Sequence, residues 1–205
     1  MATWSGKVSQ SSDDGTQVAN SAESPGNINN ITATEPTWSS AATEAKPAMI
    51  AFVFKNVLIP QGATVTKVEL ELFAKSSVEN YTFNWYSFEE LPTVPTFTGA
   101  ANDIRSRKWF PKGPEAFTKT FTTGAYNLIT STVGEGAHAA NQINQTVKSA
   151  EWKEGNAIGM MLLSTKASNL KIAMYDFEAG AKAAKIVVTY TPPEAAAGNP
   201  VSMLV

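Results

Sequence analysis

Any chemistry in this chain must come from carboxylates, aromatic rings and one histidine, because cysteine is absent. Disulfides and thiolate metal sites are therefore ruled out, and the redox compartment leaves no mark on the sequence. His138 sits in a Gly-Ala context with no nucleophile spaced to pair with it, so it reads as a surface or capping residue rather than a base. Glu69 and Glu71 share the outward face of an alternating run, where a solvated surface accounts for them. Glu89 and Glu90 are adjacent and point oppositely in a strand, which argues against a glycosidase pair. Gly134 and Gly136 lack the rest of either phosphate-binding glycine signature. These residues predict a protein that is not an enzyme.

Two binding chemistries stand beside that reading. Asp13, Asp14, Asp176 and Glu178 are hard oxygen donors in turns, a set able to hold calcium if the first and penultimate strands are neighbours. Side-chain-to-backbone turn bonding explains the same residues without a metal. Among the aromatics, Tyr81, Phe83 and Trp85 fall on one face of YTFNWYS, and Trp109 stands beside Phe110. Such rings stack on pyranose faces, or else fill a core. Arg105, Arg107 and Lys108 next to Trp109 make a small basic loop, read as solvated or as a subunit contact.

Net charge is −2 over 205 residues, with no basic run, so a nucleic-acid partner is not expected. No run approaches membrane-spanning length, and Met1 to Gly6 has neither the basic nor the apolar region of a secretion signal. The expectation is a protein made in a cytoplasm and independent of membranes. Charged residues are only 17% of the chain. Polarity therefore rests on Ser, Thr, Asn and Gln, a balance common in β-rich surface proteins.

The elements that must position these residues are mostly strands. Met49 to Phe73 (MIAFVFKNVLIPQGATVTKVELELF) reads as strand, connection, strand, with Pro60 and Gly62 suited to a chain reversal. Met49 to Phe54 is apolar on both faces, as in the middle of a sandwich. Val68, Leu70 and Leu72 alternate with Lys67, Glu69 and Glu71. Further strands are predicted at 4–10, 81–89, 117–122, 157–163, 172–175 and 185–190. Residues 17–46 form a long irregular loop with short strands near Val18 and Ile31, and 91–114 is a proline-rich loop. One helix is predicted over Ala137 to Trp152, on the stripe Ala140, Ile143, Val147 and Ala150, ended by Glu154-Gly155-Asn156. The result is one domain over 1–191, an antiparallel jelly-roll-like β-sandwich with one short helix, extended by a C-terminal arm over 192–205.

Three segments carry a family resemblance. Phe54 to Val65 (FKNVLIPQGATV) resembles the strand-loop-strand signature of DNRLRE-type β-sandwich modules, a family close to some carbohydrate-binding modules. Ile143 to Val147 with Trp152 to Ala157 looks like their helix, tryptophan and Gly-Asn lead into a buried strand. Ala173 to Asp176 with Lys185 to Tyr190 is similar to their closing strands. Members without a secretion signal look like virion proteins of tailed bacteriophages. The resemblance implies a virion structural protein, foremost a capsid decoration protein, made in the host cytoplasm. It would be a homo-oligomer that binds capsid or tail subunits through loops and the arm residues Pro200, Met203, Leu204 and Val205. The alternative it implies is a carbohydrate-binding adhesion module using Tyr81, Phe83, Trp85 and Trp109, or a tail or fibre component.

Overall fold

A computed structural model of the chain describes residues 1–18, 27–28, 37–39, 48–75, 77–98, 103–108, 115–134, 138–164, 171–175 and 177–194. The strands are β1 (Ala2–Lys7), β2 (Asp14–Val18), β3 (Asn27–Ile28), β4 (Thr37–Ser39), β5 (Ala48–Phe54) and β6 (Thr64–Phe73). They continue with β7 (Val78–Ser87), β8 (Glu115–Phe121), β9 (Tyr126–Thr132), β10 (Ile158–Ser164), β11 (Lys171–Ala173) and β12 (Lys185–Thr191). A one-turn helix α1 (Asp103–Ser106), a longer α2 (His138–Lys148) and two 3-10 turns, Ser11–Asp13 and Phe177–Lys182, complete them. Two antiparallel sheets result, in the orders β1-β12-β6-β9 and β3-β2-β5-β10-β7-β8, with β11-β4 as a separate pair. Neither closes into a barrel, and the expected jelly-roll-like β-sandwich is what forms.

Alternation in the sequence fixes which side chains meet between the sheets. On β6, Val68, Leu70 and Leu72 point inward against Ile186 and Val188 of β12 and Ile129 of β9. The β12–β6 register slips between Thr189 and Tyr190. That slip lets Val65 face inward as well, although it lies three residues from Val68. The six-stranded sheet contributes Ile50, Phe52, Phe54, Tyr81, Phe83, Trp85, Met160 and Leu162 to the same core. Helix α2 adds Ala140, Ile143 and Val147 at one end. Each fully buried aliphatic or aromatic side chain here contributes about 1.5–3 kcal/mol.

β5 is buried on both faces because the six-stranded sheet has a second apolar layer outside it. Met49, Ala51 and Val53, with Met161 of β10, pack under Phe88, just after β7, and under Val94, Phe97 and Ile104 of the proline-rich segment. That segment is tied down by Val94 N–H to Ala157 O (3.3 Å), Phe97 N–H to Ser12 O (2.7 Å) and Ala157 N–H to Thr93 Oγ1 (2.8 Å).

Several expectations change. The connection turns at Pro60–Gly62 as expected, Ala63 N–H donating to Pro60 O at 3.1 Å, but β5 and β6 lie in different sheets, and residues 55–63 carry the chain across. This crossing is laced to the end of the helical segment. Gly62, at φ +78, donates to Val147 O at 2.9 Å; Val57 and Gly155–Asn156 exchange two 3.0 Å bonds; and Trp152 Nε1 donates to Ile59 O at 2.9 Å. Two of the segments that carry the family resemblance therefore bond to each other. The helix stops at Lys148, short of Trp152. Ser149 N–H bonds back to Thr146 O and Trp152 N–H to Ser149 O, tightening the chain so that Trp152 turns into the core and Ala150 stays exposed. Strand β9 was not anticipated. Of the arm, 192–194 are described and exposed, and 195–205 lie outside the described residues.

Candidate functional site

Of the two readings of the aromatic strand, sugar platform or core, the structure takes the core. Tyr81, Phe83 and Trp85 are 2%, 0% and 0% exposed. Phe83 stacks on Phe117 at 5.5 Å and Trp85 lies 5.9 Å from the same ring. The parity reading of β7 is correct, but this face looks across at the other sheet, so its rings are core and cannot meet a ligand. Trp109 lies outside the described residues, as do Pro200, Met203, Leu204 and Val205.

Of the four candidate calcium donors, only Asp13 and Asp14 have described side chains. The two 3-10 turns do touch, which brings Asp13 toward 177–182. Yet Asp13 is buried, with Lys55 Nζ 2.8 Å from Oδ1 and the Ser9 hydroxyl donating to Oδ2 at 2.9 Å. That ammonium already neutralises its carboxylate. Asp14 is buried beside it. Asp176 and the side chain of Glu178 fall outside the described residues, and no group of three or more metal-ligating side chains converges within them.

Arg107 departs from the solvated reading of the basic loop. It is buried, donating to Pro95 O (2.6 Å), Thr96 O (2.8 Å), Asp103 Oδ1 and Glu90 Oε2 (3.1 Å), with its guanidinium over the Phe97 ring. Burial raises the Glu90 carboxyl above its ordinary value, and the Arg107 charge and hydrogen bond oppose that rise without cancelling it. These groups hold the outer layer together and leave no open donor set.

An aromatic cluster open to solvent lies elsewhere, on the outer face of the four-stranded sheet. Outward parity on β6 runs Lys67, Glu69, Glu71 and then Phe73. Phe73 is paired in register with Tyr126 at the start of β9, and their rings meet edge-on at 5.0 Å. Tyr175 joins them: its N–H donates to Phe73 O at 2.9 Å, and its ring stands edge-on to Phe73 at 5.4 Å. All three rings are half-buried. The Tyr126 hydroxyl donates to Ala181 O, which fixes that ring against the 177–182 turn.

Lysines cover these rings. Lys185 Nζ lies 3.9 Å from the Tyr126 ring centre, and Lys182 Nζ lies 4.5 Å from Tyr175 and 5.3 Å from Phe73. Lys75 Nζ is also 4.5 Å from Tyr175. Beside the rings a groove of about 370 Å³ is lined by Ser5, Lys7, Glu71, Lys185 and Val187 over the backbone of Gly6 and Ile186. Leu128, 42% exposed, sits opposite Glu71 on the same face. The size falls within the range of small-ligand sites, roughly 300–1,000 Å³. Half-buried rings beside a polar groove can hold a flat apolar surface that carries hydrogen-bonding groups at its rim.

Sequence reasoning missed this site because its three rings come from three separate elements. One signal was available: Phe73 is an aromatic residue on the outward parity otherwise taken by Lys67, Glu69 and Glu71.

Comparison with known proteins gives fold-level likenesses only. No protein-family model matches the chain, and a search of curated proteins finds no match. Among solved structures, the chain is similar to the enzymatically active domain of tailspike protein 4 of bacteriophage CBA120, at 10% identity and a TM-score of 0.31. That match covers 93% of this chain and 19% of the tailspike, so the chain spans about a fifth of that protein. It is also similar to TmCBM61 in complex with β-1,4-galactotriose, at 8% identity and a TM-score of 0.30, covering 93% of this chain and 83% of that one. 

Proposed function

We propose that this chain is a carbohydrate-binding β-sandwich module that recognises a glycan on the outer face of its four-stranded sheet. The observation that carries the reading is the half-buried Phe73, Tyr126 and Tyr175 cluster, linked through Lys185, which lies over the Tyr126 ring, to the groove at Ser5 and Glu71. A pyranose has an apolar C–H face and a rim of hydroxyls. The rings suit the first, and the serine, carboxylate and ammonium groups suit the second. The chemistry is adhesion, with no bond made or broken, and in a phage particle it would serve attachment to a host surface. Capsid decoration relies on arm residues outside the described set, so glycan binding is the reading that the described geometry supports.

Affinity gel electrophoresis against a panel of neutral and acidic polysaccharides tests this. At least one polysaccharide should retard the native protein, and Tyr126→Ala and Tyr175→Ala should run unretarded while keeping the native circular dichroism spectrum. Unretarded migration of the wild type across the panel, or equal retardation of wild type and both variants, overturns the reading.

A further inference from the structure

We infer that the groove beside the rings takes a sugar carboxylate, so that the glycan this module holds is a polyuronide; the inference rests on the carbohydrate reading above. Lys7 of β1 and Lys185 of β12 are partnered residues in the register of two adjacent strands, both projecting to the outer face. Like charges directly opposite each other across a strand pair are destabilising. Lys185 has partial relief from Glu71, whose Oε2 lies 3.8 Å away. Lys7 forms no ion pair with a described carboxylate, and neither does Lys182. In the free protein the Lys185 ammonium leans away from β1, toward Glu71 and the Tyr126 ring, and Lys7 is left at the groove without a described carboxylate. An anion in the groove would give Lys7 a partner and draw Lys185 toward it.

The balance of charge sets the kind of anion. Two ammonium groups and the Glu71 carboxylate leave one net positive charge in the groove, a match for one carboxylate per sugar. A dense sulfate or phosphate chain would bring several negative charges against Glu71 at once, on a chain whose own net charge is −2. The rings supply the rest of the mechanism. A lysine ammonium over an exposed ring is held by only about 0.5–1 kcal/mol. Lys185 can therefore swing from the Tyr126 ring to a sugar carboxylate, uncovering the ring for the C–H face of the same or the next sugar. One side chain thus exchanges a weak cation–π contact for a charge-assisted hydrogen bond, and the aromatic surface opens as the anion is captured.

The test is isothermal titration of the full chain with polygalacturonate, its fully methyl-esterified form, neutral galactan, dextran sulfate and a single-stranded oligonucleotide. Wild type should bind polygalacturonate at least about tenfold more tightly than the esterified form, with affinity falling as salt is raised. Neither dextran sulfate nor the oligonucleotide should match it. The double variant Lys7→Gln/Lys185→Gln should lose that preference and bind polygalacturonate and its ester alike, whereas Tyr126→Ala should lose both. Equal wild-type affinity for polygalacturonate, its ester and galactan overturns the polyuronide inference and leaves carbohydrate binding standing. Binding dominated by dextran sulfate or the oligonucleotide overturns it in favour of a general polyanion surface. No binding to any of the five overturns the polyuronide inference, and the electrophoresis panel then decides the carbohydrate reading separately.

Discussion

The Arg107 guanidinium lies 4.5 Å from the centre of the Phe97 ring, and through this stack a charged side chain is built into an apolar layer. Its hydrogen bonds to two carbonyls and two carboxylates make that possible, because a buried cation without partners would be prohibitive. Arg107→Ala strands Glu90, Asp103 and the carbonyls of Pro95 and Thr96. It should cost about 3 kcal/mol in urea denaturation. Arg107→Lys should recover only part of this, since a point charge cannot reproduce the fork. An alanine variant as stable as wild type would show that the outer layer does not depend on this residue.

Glu90 gives that layer a pH dependence. Its carboxyl titrates above 4.5 in the folded protein, chiefly through burial. Between the unfolded and the folded value the native state holds more protons than the unfolded chain, so this group's contribution to stability falls as pH rises through that window. Glu90→Gln removes the titration. The melting temperature of the variant relative to wild type should therefore climb between about pH 4 and about pH 7. A gap that stays flat or narrows with rising pH contradicts the assignment.

Two core tryptophans separate hydrogen bonding from volume. Trp152 Nε1 donates to Ile59 O at 2.9 Å, whereas Trp85 Nε1 is buried without a partner among the described residues. Replacement by Phe removes similar bulk at both positions. Trp152→Phe also leaves the Ile59 carbonyl without its donor, so it should cost about 1–3 kcal/mol more than Trp85→Phe. Matched guanidinium unfolding curves decide it, and equal losses would remove the hydrogen bond from the account.

Gly159 on β10 lies directly beneath the outer layer. A Cβ there would lie 2.6 Å from the Phe88 ring and 2.8 Å from Val94. Gly159→Ala should cost about 1–3 kcal/mol. The loss should shrink in a Val94→Ala background, where the clash is partly removed, giving a coupling readable in a double-mutant cycle. Strict additivity of the two changes would contradict this packing.

Much of the sandwich was legible because its strands alternate cleanly. KVELELF, YTFNWYS and KIVVTY each name their own buried face, and MIAFVF announces a strand covered on both sides. Strand β9 was not legible, because its inward face includes Asn127 and Ser131, which look like surface residues. They are tolerated inside by local bonds. Asn127 Oδ1 accepts from Thr122 N–H at 2.8 Å, and the Ser131 hydroxyl accepts from Ala140 N–H at 2.9 Å while donating to Glu115. The outer layer was also misjudged, since prolines and arginines over 91–114 look like a solvated loop until Phe88, Val94 and Phe97 are seen to need a lid. The ring cluster was the least legible part: nothing local in Phe73, Tyr126 or Tyr175 says that they meet.

The pairing of β1 with β12 has a consequence for how the molecule is made. Among the described residues, the strand of residues 2–7 pairs only with residues 185–190, and β12 is also what joins β1 to the rest of its sheet. On a ribosome the first strand therefore waits, unpaired, until β12 has emerged. The six-stranded sheet can assemble earlier from β2, β5, β7, β8 and β10, whereas the four-stranded face, with its groove and rings, is completed last. Closing so long a loop is slow and leaves a strand edge open to other chains in the meantime. The face proposed for recognition is thus the last part of this sandwich to form.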